Sequence, residues 1–189
     1  MKRILTAILC AGVIAVSAAG CGYNDALYNN NNNNSSSSSQ TSEESSNTEE
    51  KVSDAKYDNN LDGLIDYFDA KEYIENKEGS FVKMDASAIG AKEGKKFAIK
   101  YESSNLIIEL YEYDTKSLND TAKKTIKSVE DNGTFSVYGL PDVTAYLSDN
   151  GKYLMVYTDS SIDKENPDKT KSNYKHREEV IKDFKAFKK

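Results

Sequence analysis

The chain has 189 residues, of which 30% are charged and 10% aromatic, and its formal net charge is −6 at pH 7. This acidic balance argues against nucleic-acid binding, because phosphate contacts need clustered Lys and Arg side chains. A single histidine excludes a histidine-rich metal centre. We therefore expect no cofactor and no nucleic-acid partner.

Residues 1–21 have the order of an export signal. Lys2 and Arg3 precede an apolar run over residues 4–16, and the small residues Ser17-Ala18-Ala19-Gly20 lead into Cys21. The run is too short for a membrane-spanning helix, which needs about 20 apolar residues. A secretory signal cleaved after an Ala, or an uncleaved anchor, are the alternatives.

The segment Ser17-Ala18-Ala19-Gly20-Cys21 resembles the lipobox of bacterial lipoproteins, with Ala18 where that family usually has Leu. The resemblance implies that signal peptidase II removes residues 1–20 and that Cys21 carries a diacylglyceryl group. Two acyl chains hold a protein stably at a bilayer, whereas one does not. The expected location is the outer face of the cytoplasmic membrane, with the lipid bilayer as partner through diacylglyceryl-Cys21.

Residues 21–56 are predicted to form a disordered linker, since they include runs of Asn (29–34) and Ser (35–39) and almost nothing apolar. A flexible tether of this length has a root-mean-square span of roughly 30–35 Å. The tether and the Lys- and Tyr-rich sequence after it are similar to those of small tethered lipoproteins of low-GC Gram-positive anaerobes. That similarity implies location and no particular activity.

The remaining residues, 57–189, are enough for one domain with a modest core. Asn59 or Asn60 is suited to cap a first helix, while Ser117 and Asp120 fit a capping box for a second. Asp149-Asn150-Gly151 is typical of a tight hairpin turn. In chain order the spacing predicts a helix over 61–68, a strand at 81–84, a hairpin of strands at 97–101 and 106–113, a helix over 118–131, short strands at 135–138 and 143–147, a strand at 153–158, a loop over 159–173, and a last helix with Tyr174, Val180, Ile181, Phe184 and Phe187 on one side.

Hairpins rather than long crossovers join most of these strands, which favours a mainly antiparallel sheet. The predicted fold class is therefore α+β, in two layers, with about three helices packed on the sheet.

This domain is rich in tyrosine. Strand alternation predicts that Tyr111, Tyr113, Tyr153 and Tyr157 lie opposite the aliphatic sides of their strands. If the aliphatic sides form the core, these four rings line an open face suited to protein, peptide or glycan contacts. The alternative is that Tyr simply fills half-buried strand positions, where it is common.

Two further patterns have a functional and a plain interpretation. Asp58, Asn60, Asp62 and Asp69 partly fit a calcium-binding loop, but the same stretch is explained by an amphipathic helix with an acidic first turn. His176 could serve catalysis, yet its charged neighbours favour a solvated surface position. We expect no metal site and no catalytic residue.

Three functions remain open. The favoured one is a non-catalytic binding or interaction module, anchored by lipid, that binds an envelope protein, a peptide or a glycan. The second is a structural or regulatory envelope protein without a small ligand. The third is a hydrolase of wall polymers that uses acidic residues, which would need paired carboxylates in a cleft.

Overall fold

The computed structural model describes residues 52–189; the predicted signal, Cys21 and most of the predicted linker lie outside the described residues. The helices are α1 (Leu61–Ala70), α2 (Asp120–Asn132) and α3 (Ser172–Ala186), with single 3-10 turns at Asp54–Lys56 and Ala86–Ile89. The strands are β1 (Phe81–Lys83), β2 (Glu93–Tyr101), β3 (Ser104–Glu112), β4 (Thr134–Phe135), β5 (Val143–Thr144), β6 (Tyr146–Leu147) and β7 (Tyr153–Asp159). Within 52–189, no helix combines the length and the apolar character that crossing a bilayer requires.

Five strands form one sheet in the order β1-β2-β3-β7-β6, and each neighbouring pair is antiparallel. β4 and β5 form a separate two-stranded antiparallel sheet. The predicted α+β class, with a mainly antiparallel sheet and three helices, is confirmed.

Helices pack on both faces of the five-stranded sheet, although α2 covers only part of the second face. The sheet is therefore a central layer, and the predicted two-layer arrangement is corrected, because β3 and β7 are apolar on both faces. The major core, on one face, joins α1 and α3 to alternate residues of β2, β3 and β7. Its fully buried members are Leu61, Leu64, Ile65, Phe68, Phe97, Leu106, Ile108, Leu110, Tyr153, Met155, Val180, Phe184 and Phe187. The minor core, on the other face, joins α2 and the 86–89 turn to the sheet through Ala86, Ile89, Ala91, Tyr111, Tyr113, Ala122, Val129, Phe135, Ala145, Leu154 and Val156.

The segment 143–147, which the sequence predicts as one strand, changes partner in its middle. Val143 and Thr144 pair with β4, whereas Tyr146 and Leu147 pair with Met155 and Leu154 of β7. Between them the Ala145 N–H donates to the Gly133 carbonyl at 3.0 Å. The last residues of β7 therefore have a strand neighbour on the β3 side only, and the chain diverges from them on the other side.

Two predicted boundaries are corrected. The second helix begins at Asp120 and is capped by Asn119, not Ser117, because the Asn119 Oδ1 accepts from the Ala122 N–H at 2.8 Å. Asn119 can reach that position because Gly90 packs against the helix start, where a Cβ would lie 2.2 Å from the Ala122 nitrogen.

The folded part also begins before residue 57. Val52 packs on the major core, and the Asp54 carboxylate accepts from the Lys188 N–H at 2.8 Å. The start and the end of the described chain are thereby held together.

Glu112 joins the sheet to the start of α1. Its side chain is only 4% exposed, and its Oε2 accepts from the Leu61 N–H at 2.6 Å. Its Oε1 lies 3.3 Å from Lys152 Nζ and 3.6 Å from Lys92 Nζ. A carboxylate at a helix N-terminus satisfies a free N–H and interacts well with the helix dipole, so Glu112 fixes where α1 docks.

Replacing Glu112 by Gln is expected to lower the free energy of unfolding by about 1–3 kcal/mol, since the neutral amide leaves two ammonium groups and a helix start without their buried anion. Urea unfolding at neutral pH measures this change. The matched control is Glu93→Gln, whose carboxylate pairs with Lys92 at the surface and should cost less than about 0.5 kcal/mol. Equal effects for the two variants would contradict the role given to Glu112.

Candidate functional site

The four tyrosines predicted to form an open face are all buried. Tyr113 and Tyr153 are fully buried, and Tyr111 and Tyr157 are 5% and 7% exposed. They also do not share a face, because Tyr111 and Tyr113 belong to the minor core while Tyr153 and Tyr157 belong to the major core. The prediction of a Tyr-rich binding surface is therefore wrong, because helices on both sides of the sheet cover these four residues.

Three of the four hydroxyls have structural partners. Tyr111 donates to Glu109 Oε2 at 2.9 Å, Tyr113 to the Ile89 carbonyl at 3.4 Å, and Tyr153 to Asn59 Oδ1 at 2.8 Å. The Tyr157 hydroxyl is buried and, within residues 52–189, has no hydrogen-bond partner. A buried hydroxyl without a partner costs about 1–3 kcal/mol, so this group needs an explanation that the fold does not supply.

Tyr157 lines a cavity of about 150 Å³ at the end of β7. The cavity occupies the gap where the chain at 144–146 diverges from β7, and the loop after β7 and the second turn of α3 complete its walls. The lining residues are Thr144, Tyr146, Tyr157, Thr158, Asp159, Ile162, Lys164 and Arg177.

The Tyr157 hydroxyl is a neutral donor at physiological pH. Burial and the charge of Asp159 raise the pKa of Tyr157, and the nearby Arg177 offsets only part of this increase. A protonated phenol in a partly apolar cavity can donate one hydrogen bond to an acceptor on a ligand.

Arg177 supplies positive charge to the same cavity. Burial disfavours its charged form, but the hydrogen bonds from Nε and Nη2 to Glu178 Oε1, at 3.2 and 3.0 Å, together with neighbouring tyrosines keep the pKa of Arg177 raised. The guanidinium also lies over the Tyr174 ring, 4.5 Å from its centroid. The cation is thus held at the wall by a carboxylate and an aromatic face.

Asp159, the carboxylate among the lining residues, is already saturated. It accepts hydrogen bonds from Ser104 Oγ, Asn173 Nδ2 and both the N–H and the hydroxyl of Ser161. Burial acts to raise the pKa of Asp159, but these donors outweigh burial and hold the pKa below its ordinary value. Asp159 therefore joins β3, β7 and α3 and has little capacity left for a ligand.

His176 is half-buried rather than solvated, which corrects the surface assignment. Its ring stacks on Tyr101 at 3.9 Å between centroids with an interplanar angle of 8°. The ring of Tyr73 makes a T-shaped contact with it, with the ring centroids 5.6 Å apart. Burial lowers the pKa of His176, while Glu179 and Asp159 act in the opposite direction.

The residues of the calcium-loop alternative lie on and before a helix. Asn60 caps α1 by accepting from the Gly63 N–H at 2.8 Å, Asp62 is in the first turn and Asp69 in the last. Asp62 pairs with Lys95, and Asp69 accepts from the Asn76 N–H. Within 52–189 no set of three or more His, Cys, Asp or Glu side chains is arranged to hold a metal ion.

Compared with known proteins, the sequence matches no family model and no curated protein, and the structure matches no solved structure. The site must therefore be argued from its own geometry.

Sequence reasoning singled out Tyr157 for the wrong reason and missed Arg177. Tyr157 was expected on an open sheet face, yet its importance comes from a hydroxyl that the fold leaves unpaired. Arg177 is the single arginine outside the predicted export sequence. This rarity could have drawn attention to it. Arg177 and Tyr157 line the same cavity because α3 lies across β7.

His176 makes a pH prediction possible. Because its pKa in the folded state is below the ordinary value of about 6.5, the unfolded chain binds the proton more readily. The contribution of His176 to the free energy of unfolding is then complete above a pH of about 6.5 and decreases as the pH is lowered through that value. Thermal unfolding between pH of about 7.5 and 5 should show this decline.

The His176→Gln variant should flatten this part of the profile, whereas Lys175→Gln, at an exposed neighbouring position, should retain it. Asp159 also loses its contribution on acidification, but only below its ordinary pKa of 3.8, which is outside the range measured. An unchanged slope in His176→Gln would show that the ring does not titrate differently on folding.

Proposed function

We propose that the protein is a lipid-anchored, non-catalytic binding module on the outer face of the cytoplasmic membrane, and that its ligand occupies the cavity at the end of β7. The lipobox resemblance at Cys21 supports the location. The observation that carries the binding role is the buried, unpaired hydroxyl of Tyr157, a residue that lines the cavity together with Arg177.

The chemistry of the lining favours a small carboxylate. Tyr157 and Arg177 offer donors, Lys164 adds a second positive charge, and the one lining carboxylate, Asp159, already accepts four hydrogen bonds within the domain. An anion with two acceptor oxygens complements such a set. A volume of about 150 Å³ is comparable to that of a cavity that accommodates benzene, so the carboxylate belongs to a molecule or terminal group of that size.

A catalytic role for the same cavity has less support. Acid–base hydrolysis uses a carboxyl group whose pKa is raised so that it can act as an acid. The pKa of Asp159 is shifted in the opposite direction. The arrangement is suited to holding a ligand rather than to transferring a proton to it.

The anchor has its own test. The chain purified from membranes should begin at Cys21 and carry the added mass of a diacylglyceryl group, because the lipobox is processed only at its cysteine. Mass spectrometry of the intact protein measures this. Cys21→Ser should remove the added mass, while Cys10→Ser, inside the predicted signal, should not. An unmodified Cys21, or release of the wild-type chain into the medium, would contradict the location and leave the cavity proposal standing.

The cavity is tested by Tyr157→Phe. Deleting a hydroxyl that has no partner should leave the ligand-free protein as stable as before, or more stable by up to about 1–3 kcal/mol. The same change should weaken the thermal stabilisation that small carboxylates such as acetate, lactate or benzoate give the wild type, which follows RT ln(1 + [L]/Kd). Differential scanning fluorimetry measures both effects. The corresponding amides serve as neutral control ligands.

Tyr153→Phe is the matched control, since it removes a hydroxyl that donates to Asn59 on the same strand. It should cost stability, by about 0.5–1.5 kcal/mol, without changing the ligand response. A loss of stability in Tyr157→Phe as large as in Tyr153→Phe would mean that the Tyr157 hydroxyl is paired. Absence of any shift with the carboxylates would reject the ligand class.

A further inference from the structure

The stretch that follows α2 is uncharged as far as Asp142 and partly apolar at its tip. Residues 133–141 contain no Asp, Glu, Lys or Arg, in a chain of which 30% is charged. At the tip, Tyr138 is 85% and Leu140 62% exposed; with Val82 they are the large apolar side chains exposed in the described part of the chain. We call residues 137–141 the tip loop.

The tip loop is a tight turn that holds its aromatic residue in an unfavourable backbone conformation. The Leu140 N–H donates to the Val137 carbonyl at 3.0 Å, and the two residues between them, Tyr138 and Gly139, have φ of 53° and 75°. A turn with two positive φ values favours Asn, Asp or Gly. A bulky residue there costs of order 1–3 kcal/mol.

No aromatic packing within residues 52–189 offsets this cost. Among the ring contacts of residues 52–189, none involves Tyr138, and its side chain is almost fully exposed. Strain that is not balanced by packing, with two apolar side chains presented to solvent beside it, indicates a contact outside the domain.

We propose that the tip loop inserts Tyr138 and Leu140 into the interfacial region of a lipid bilayer. Tyr is suited to that region, where its ring meets acyl chains and its hydroxyl stays hydrated. The acidic body of the protein is repelled by anionic headgroups, and an uncharged projection can approach them without that repulsion. A protein partner would compete for the same side chains and is an outcome that the experiment identifies.

The contact acts together with a tether. Two side chains bind a bilayer only weakly, but attachment through residue 21 would keep the tip loop at a high effective concentration near the surface. The span of roughly 30–35 Å expected for the predicted linker would permit the domain to reach the bilayer it is attached to. The tip loop would then set which side of the domain faces the membrane.

The test uses an artificial tether, so that it does not depend on natural lipidation. The chain starting at Cys21 keeps both cores and has one thiol, which can be coupled to a maleimide lipid in neutral phosphatidylcholine vesicles. Because the protein contains no tryptophan, Tyr138→Trp introduces a single fluorescent reporter. Its emission should shift to shorter wavelength on coupling and be quenched by brominated acyl chains.

Val82→Trp is the matched control, at the exposed apolar position on β1, and should show neither effect. Replacing both Tyr138 and Leu140 by Ser should lower the partitioning of the uncoupled chain into vesicles about tenfold while leaving thermal stability unchanged or improved. Equal quenching at both Trp positions, or none at either, would overturn the proposal. A blue shift that needs added envelope protein and not lipid would also overturn it, in favour of a protein partner.

Discussion

The register between β3 and β7 is the constraint on which the rest of the structure depends. Leu110 lies opposite Met155, and Ile108 opposite Tyr157, so the aliphatic face of β3 and the tyrosine face of β7 are the same face. A slip of one residue would send every side chain of β7 to the other side of the sheet. Because both faces are apolar at the centre of the sheet in this register, helices pack on both, and all four tyrosines are covered.

The same strand pair explains why a cavity lies at the end of β7. β6 is only two residues long because the chain leaves β7 at Ala145 to pair with β4. The far end of β7 is then covered by side chains from the following loop and from α3 rather than by a strand. Asp159 holds this end of β7 in place by accepting hydrogen bonds from Ser104 and Asn173. Tyr157 lies two residues earlier on the same face of the strand, and its hydroxyl has no hydrogen-bond acceptor among the described residues.

The two proposed contacts lie in regions where the chain departs from regular pairing. The tip loop follows the two-residue strand β4, and the cavity borders the two-residue strand β6. Regular elements satisfy their own polar groups, whereas irregular connections present unpaired donors and exposed side chains. A domain that covers its tyrosines from both sides of the sheet can therefore still offer contacts where its strands end.

Local sequence determined the elements whose signals are local. The apolar spacing and Asn60 define α1, Gly133 ends α2, and the alternation in 106–110 and 153–157 predicts β3 and β7, because caps and periodicity act within a few residues. The sequence by itself did not decide which faces of β3 and β7 coincide, that 143–147 would divide between two sheets, or that Arg177 would meet Tyr157. These features depend on pairing and packing between residues far apart in the chain. A side chain that strand alternation places on an open face can be covered by a helix, and the sequence of the strand does not reveal where that helix packs.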